Sequence, residues 1–229
     1  MTDVHAHILP FVDDGSASVE DSISLVKTLV SQGVDKIILT PHYKAGRYEQ
    51  DNCKLKAKFE EFCKVVEDNG INVKLYLGEE IFCDKKIYDL LKENKVLTIN
   101  ETKYILIEFD YFNYIDISDY VFNLKTLGYI PVIAHIERYS YLNIETLIDI
   151  KSSGALIQVN ASSVTGDSGK QTQKKVLATI KCGLVDFVTT DIHNRRHASL
   201  EKAYAIIKKK FSKTVADNLF ENNAKIFNL

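Results

Sequence analysis

Two histidines stand two residues apart near the start of the chain, in Asp3-Val4-His5-Ala6-His7, and Asp13-Asp14-Gly15 follows shortly after. On a strand that spacing turns His5 and His7 to one face, where one metal ion could take both nitrogens. Further donors recur at the ends of short apolar runs. His42 comes after Thr40-Pro41, Glu79-Glu80 after Gly78, and Glu108 closes Tyr-Ile-Leu-Ile. His135 closes Pro-Val-Ile-Ala-His, and Asp191 and His193 follow Phe-Val-Thr-Thr, again two apart. Taken singly each has a plain reading, since Asp-Asp-Gly is an ordinary turn and a lone histidine pair is commonly structural. Taken together, five of the six histidines sit beside carboxylates at the ends of strands, with His197 left over as a solvated or rim residue. Such clusters usually hold ions. Mixed imidazole and carboxylate donors suit manganese, iron or zinc. About nine candidate ligands are too many for one ion, and two or three ions sharing bridging carboxylates would use them, as in hydrolytic multi-metal sites.

The arginines sharpen this chemistry. Of 29 basic residues only four are arginine: Arg47, Arg138, Arg195 and Arg196, each within five residues after one of those histidines. A planar guanidinium beside a cationic cluster is suited to holding an oxyanion, and phosphate is the favoured one.

Other chemistries are excluded by what the chain lacks. The four cysteines, Cys53, Cys63, Cys83 and Cys182, form no CxxC pair, which rules out a zinc ribbon and reads as free thiols in a reducing compartment. Cysteine-dependent tyrosine phosphatases carry an arginine six residues after the nucleophile. Here those positions are Phe59, Asn69, Asp89 and Val188. There is no GxSxG elbow and no glycine-rich nucleotide loop. A net charge of -2 with interleaved signs gives no reason to expect nucleic acid, and no segment is apolar enough to span a membrane. The opening stretch lacks a secretory signal, so a cytoplasmic protein is expected.

Seven runs read as buried strands: 2–8, 36–40, 74–78, 104–109, 131–135, 155–160 and 187–190. Helical patterns lie between them. One starts at Ser18 with a capping-box sequence and buries Ile23, Val26, Leu29 and Val30; another covers 50–69. Gly33, Gly70, Gly128, Gly154 and Gly183 each end a helical pattern just before a strand. The tail, 199–229, reads as two helices joined near Phe211-Ser212. This alternation predicts one α/β domain over 1–229 with a parallel sheet and crossover helices. An open doubly wound sheet would alternate likewise, but polar residues at nearly every strand's C-terminal end favour a barrel of the TIM kind, whose sites are built there.

With these residues in view, the chain resembles the PHP (polymerase and histidinol phosphatase) superfamily, and within it the capsule-type tyrosine-protein phosphatases of the CpsB/CapC family. The matching stretches are DVHAHILPFVDDGS, TPHYKAGRYE, LGEEI, YILIEF, PVIAHIERY, IQVNASS and TTDIHNRR, in order from Thr2 to Arg196. The resemblance implies a distorted parallel (β/α)7-type, TIM-like barrel, the PHP fold, with three divalent ions, usually manganese, iron and zinc being the alternatives. It implies His5, His7, Asp14, His42, Glu80, Glu108, His135, Asp191 and His193 as ligands, with Glu80 bridging two ions. Arg138 matches the family's phosphate-binding arginine, with Asp191 and His193 as the other residues at the reaction centre. Arg196 is the preferred second phosphate-binding arginine and Arg47 a third candidate. One departure stands out: His193-Asn194 runs straight into Arg195-Arg196, where relatives place several residues between.

What the resemblance further implies is hydrolysis of phosphotyrosine by metal-activated water, with no phosphoenzyme. The substrate would be the phosphotyrosine tail of a bacterial tyrosine autokinase that regulates capsule or exopolysaccharide assembly. Such a kinase would recruit the phosphatase to the membrane without inserting it. Tyr43, Tyr48, Tyr111 and Tyr139 would offer apolar contact at the barrel mouth. The rival readings are a small-molecule phosphatase acting on a compound like histidinol phosphate, and a metal-binding partner module without catalysis.

Overall fold

The computed structural model of the chain describes residues 1–194 and 198–229. All seven expected strands are present, with their ends shifted by one or two residues. They are β1 (Thr2–Ala6), β2 (Lys36–Leu39), β4 (Lys74–Leu77), β6 (Tyr104–Glu108), β7 (Ile130–Ile133), β8 (Leu156–Asn160) and β9 (Phe187–Thr189). Two short strands, β3 (His42–Tyr43) and β5 (Glu80–Phe82), were not anticipated. Each continues the strand before it past a break, at Thr40-Pro41 and at Gly78-Glu79. Proline cannot donate to a ladder, which ends β2. At Gly78 a Cβ would meet the Ile99 Cα at 3.2 Å, a close approach of two backbones that glycine makes easy.

All strand pairs are parallel, in the orders β1-β2-β4 and β3-β5-β6-β7-β8-β9. Because β3 and β5 prolong β2 and β4, the two sheets form one curled surface. Its ends meet: Ala6 bridges Ile192, His7 N donates to Ile192 O (3.0 Å) and Asp191 N donates to His5 O (2.9 Å). The result is a distorted parallel barrel of seven strand positions, as the polar strand ends and the family resemblance imply.

The helices are α1 (Val19–Ser31), α2 (Asn52–Asp68), α3 (Ile87–Lys92), α4 (Ile117–Thr126), α5 (Ile144–Ser152), α6 (Ala161–Thr165), α7 (Lys170–Lys181), α8 (Leu200–Lys210) and α9 (Lys213–Asp217). Ser18 caps α1 by accepting from Asp21 N at 3.0 Å, which satisfies one of the exposed donors of the first turn. The five glycines expected to end helices all have left-handed backbone, φ from +67° to +97°. No helix among the described residues is long and apolar enough to cross a membrane.

Two apolar clusters result. The larger lies between helices and strands; the smaller fills the barrel interior with Val4, Ile38, Leu106, Val132 and Phe187. The tail does break at Phe211-Ser212 as expected, but beyond α9 it runs through a wider π-helical turn, Asn218–Asn222, and a tighter 3-10 turn, Asn223–Phe227, that carry Ala224 and Phe227 into the interior cluster. Phe227 lies 5.2 Å from the Phe187 ring and 5.3 Å from Tyr104, the first residues of β9 and β6. The tail therefore plugs the N-terminal end of the barrel. Burying such a ring is worth about 1.5–3 kcal/mol. The opposite end is polar, and the candidate donors converge there.

Candidate metal centre

β1 delivers the first two donors. Its register against β2 slips between Asp3 and Ala6, a bulge beside which His5 and His7 both turn inward, and neither ring is exposed. Their Nε2 atoms lie 3.0 Å apart. The far side of each ring is held. His5 Nδ1 is 3.2 Å from Gln158 Oε1, and His7 Nδ1 is 2.8 Å from Asp13 Oδ2. His193 Nδ1 is 3.0 Å from Asp191 O. All three partners are acceptors, so each Nδ1 carries the proton and each Nε2 presents a lone pair to the cluster. His42 is turned the other way, with Nδ1 3.0 Å from Glu80 Oε2 and Nε2 3.5 Å from Asp14 Oδ1.

Glu80, at the start of β5, is central. Its Oε2 stands 3.4 Å from His5 Nε2, 3.2 Å from His7 Nε2 and 3.0 Å from His42 Nδ1, while Oε1 is 2.6 Å from His135 Nε2. Burial is the largest influence on Glu80 and opposes ionisation, yet His5, His135 and His42 together hold its carboxyl well below the usual range. His5 shows the converse: burial disfavours its charged form, but Glu80 and Asp191 outweigh burial and raise its pKa.

Asp191 and His135 both adopt left-handed backbone (φ +51° and +33°), which costs a non-glycine residue energy and is a common mark of functional positions. Asp191 Oδ1 lies 3.6 Å from His5 Nε2 and 3.5 Å from His7 Nε2, while Oδ2 accepts from Asn160 Nδ2 at 2.9 Å. Glu108 Oε1 is 3.6 Å from His42 Nδ1. Three overlapping donor groups emerge among the described residues: His7, His42 and His193; His5, His7 and Glu80; and His42, Glu80 and Glu108.

Do these residues fit metal? Glu80 Oε2 and His135 Nδ1 are buried without a hydrogen bond to any described residue, although three imidazole nitrogens crowd the former. Such orphaned atoms are costly, and a carboxylate oxygen among imidazole lone pairs is the surrounding a shared cation would satisfy. The donor set fits.

All nine expected ligands thus lie at one end of the barrel. Asp14 is half-exposed, facing His42 and, at 3.8 Å, His193 Nε2. Its neighbour Asp13 turns inward and binds the His7 ring from behind. Glu79 points away, accepting from Leu97 N at 2.6 Å. Arg138 stands with Nη1 3.7 Å from Asp191 Oδ2 and its guanidinium 4.2 Å above the Tyr111 ring. Arg47 stands apart: it is exposed and stacked on Tyr48, whose ring in turn lies against His42. Among the described residues no ion pair joins Arg47 to the cluster. Arg195, Arg196 and His197 lie outside the described residues.

Sequence reasoning missed the residues that hold the donors from behind. Asp3 accepts from Thr190 N and Thr190 Oγ1, and Gln158 serves His5 and the backbone N–H of His135 (2.6 Å). Gln158 and Asn160 alternate on β8, and that period of two was the available signal. The expected aromatic contacts need correction as well. Tyr43 and Tyr139 are buried among apolar side chains, and Tyr48 and Tyr111 are half-buried. Phe11, Phe112 and Tyr114 are exposed in the loops that follow β1 and β6, and a further exposed ring, Phe122, lies on α4.

Residues 1–228 match the family described as capsular polysaccharide synthesis, CpsB/CapC. The tyrosine-protein phosphatase YwqE of Bacillus subtilis is 33% identical over 227 residues, spanning 97% of this chain and 89% of the relative. The tyrosine-protein phosphatase CpsB of Streptococcus agalactiae is 33% identical over 235 residues, spanning 98% and 97%. A solved structure from work on YwqE of Bacillus subtilis and CpsB of Streptococcus pneumoniae, described as unique metal-dependent tyrosine phosphatases, superposes with a TM-score of 0.94. It is 32% identical and covers all of this chain and 94% of its own.

Proposed function

From the premise that this chain belongs to the CpsB/CapC family and is a metal-dependent tyrosine-protein phosphatase, we propose that it is a manganese enzyme with three ions, acting on the phosphotyrosine tail of a bacterial tyrosine autokinase. His5, His7, Asp14, His42, Glu80, Glu108, His135, Asp191 and His193 would hold the ions, with Glu80 shared because its two oxygens face different imidazoles. When bound, the ions supply Lewis-acid activation of water and of the phosphoryl group.

The chain's own residues do the rest. Arg138 is half-exposed at the mouth and fixed from below by the Tyr111 ring. It orients a phosphoryl oxygen and neutralises the charge that grows there, where preorganised donors count most. Cys83, just past β5, is poorly suited to act as a nucleophile, because it is buried and burial pushes its thiol well above the usual range. The tyrosine leaving group departs as a phenolate, stable enough to need no strong acid. Phe112 and Tyr114, exposed in the loop that also carries Tyr111, offer apolar contact to residues flanking the phosphotyrosine. A cytoplasmic enzyme brought to the membrane by its kinase agrees with these features.

The observation that carries this reading is the placement of Arg138 beside Asp191, a cation held at the edge of a donor cluster that suits metal. The test is phosphate release from a phosphotyrosine peptide by the purified protein with manganese, repeated after chelation, with histidinol phosphate as comparator. Chelator-sensitive release from the peptide supports the reading. Release from histidinol phosphate alone would transfer the site to small molecules, and metal binding without any release would make it a non-catalytic module.

A further inference from the structure

Tyr111, itself no proposed ligand, touches both a proposed ligand and the proposed phosphate-binding arginine. Its hydroxyl donates to Glu108 Oε2 at 2.5 Å, and its ring face lies 4.2 Å beneath the Arg138 guanidinium. The ring itself is held in place. It packs against Tyr139 at 5.6 Å and meets His135 edge-on at 5.7 Å, while its backbone carbonyl accepts from Ser140 N. A half-buried phenol pressed between an acid and an arginine, with both contacts in hydrogen-bond or stacking range, has more to do than fill space.

We propose that Tyr111 is a positioning residue that ties metal binding to phosphate recognition. Its hydroxyl holds Glu108 Oε2, which also lies 3.8 Å from His135 Nε2, and so sets how Oε1, 3.6 Å from His42 Nδ1, faces the other donors. A hydrogen bond to one carboxylate oxygen fixes both the rotation and the basicity of the other. The face of the same ring presents its negative quadrupole to Arg138 and supports the guanidinium from below while Nη1 stands 3.7 Å from Asp191 Oδ2.

This rests on the metal-dependent reading, and the test separates the two. Wild type, Tyr111→Phe and Tyr111→Leu are stripped of metal and titrated calorimetrically with manganese. The manganese-loaded proteins are then titrated with inorganic phosphate. Tyr111→Phe keeps the ring and loses the hydroxyl. At least one manganese equivalent is expected to bind about 10- to 100-fold more weakly, with phosphate affinity at saturating manganese within about twofold of wild type. Tyr111→Leu should show the same manganese loss and, beyond it, phosphate binding weaker by about three- to thirtyfold. Thermal melts control for folding, and Tyr111→Met replaces the leucine variant if that one is destabilised.

Wild-type manganese binding by Tyr111→Phe would overturn the ligand-orienting role. Equal phosphate affinity in the phenylalanine and leucine variants would overturn the arginine role. Neither titration depends on turnover. A wild-type protein that binds manganese but releases no phosphate from phosphotyrosine would sink the substrate reading while leaving the Glu108 assignment to stand or fall on the titration.

Discussion

Asp13 grips His7 from behind: its Oδ2 accepts from His7 Nδ1 at 2.8 Å. The same oxygen accepts from the backbone N–H of His42, also at 2.8 Å, so one carboxylate sets two donors on different strands. Burial is the largest influence on Asp13 and works against its charge, yet His7 and these hydrogen bonds bring it down to about 2. Asp13→Ala is therefore expected to weaken metal binding about 10- to 100-fold although Asp13 itself is not a ligand. Metal content at limiting manganese checks this, and a full complement in the variant would show that the rings need no such support.

Gly15 completes the same turn. A Cβ there would stand 2.2 Å from His7 O and 2.5 Å from His7 Cβ, distances no neighbour can absorb without backbone movement. Gly15→Ala should destabilise the protein by roughly 2–4 kcal/mol and lower metal content with it. Chemical denaturation and metal analysis on one preparation would reveal both effects. A variant with native stability and full metal would mean that the loop relaxes freely.

Much of this centre could be read from spacing alone. His5 with His7 and Asp191 with His193 announce themselves because a period of two on a strand leaves few alternatives, and Glu108 and His135 because an apolar run ends on each. What spacing does not encode is which neighbour faces in. Asp13 and Asp14 are adjacent, as are Glu79 and Glu80, and their division of labour follows from backbone geometry set by Gly15 and by the break at Gly78. The seven-strand plan was legible for the same reason, and β3 and β5 were not, being too short to carry a pattern. The plug at Phe227 stayed hidden because irregular turns have no period.

Glu79 supplies a pH test. Burial pushes its carboxyl up to about 8, with the Leu97 N–H only partly offsetting this. Between about 4.5, where the unfolded chain ionises, and about 8, the folded state binds the extra proton. Stability must therefore fall as pH rises through that window, by at most about 1.4 kcal/mol per pH unit. Glu79→Gln stays neutral and still offers an oxygen to Leu97. It should match wild type near pH 5 and exceed it near pH 8 in denaturant unfolding. Parallel stability curves would show that Glu79 is charged in the folded protein.

Arg138 and Phe112 should separate chemistry from recognition. Arg138→Ala is expected to retain its metal and to lose about ten- to a thousandfold in turnover. Phe112, 83% exposed, should matter only to longer substrates. Phe112→Ala is expected to raise KM for a phosphotyrosine peptide about three- to tenfold while leaving hydrolysis of a small aryl phosphate unchanged. Equal effects on the two substrates would remove Phe112 from peptide recognition, and unchanged kinetics in Arg138→Ala would remove that arginine from the phosphate.

The plug also imposes an order on synthesis. Phe227 is translated after every strand whose interior it fills, so a nascent chain can assemble its sheet but not close the floor beneath Val4, Leu106 and Phe187. At roughly 5–20 residues per second, the stretch from β9 to Phe227 takes seconds to emerge. Throughout that interval an apolar well stands open to water and to neighbouring chains. Docking of the tail is the event that ends the exposure.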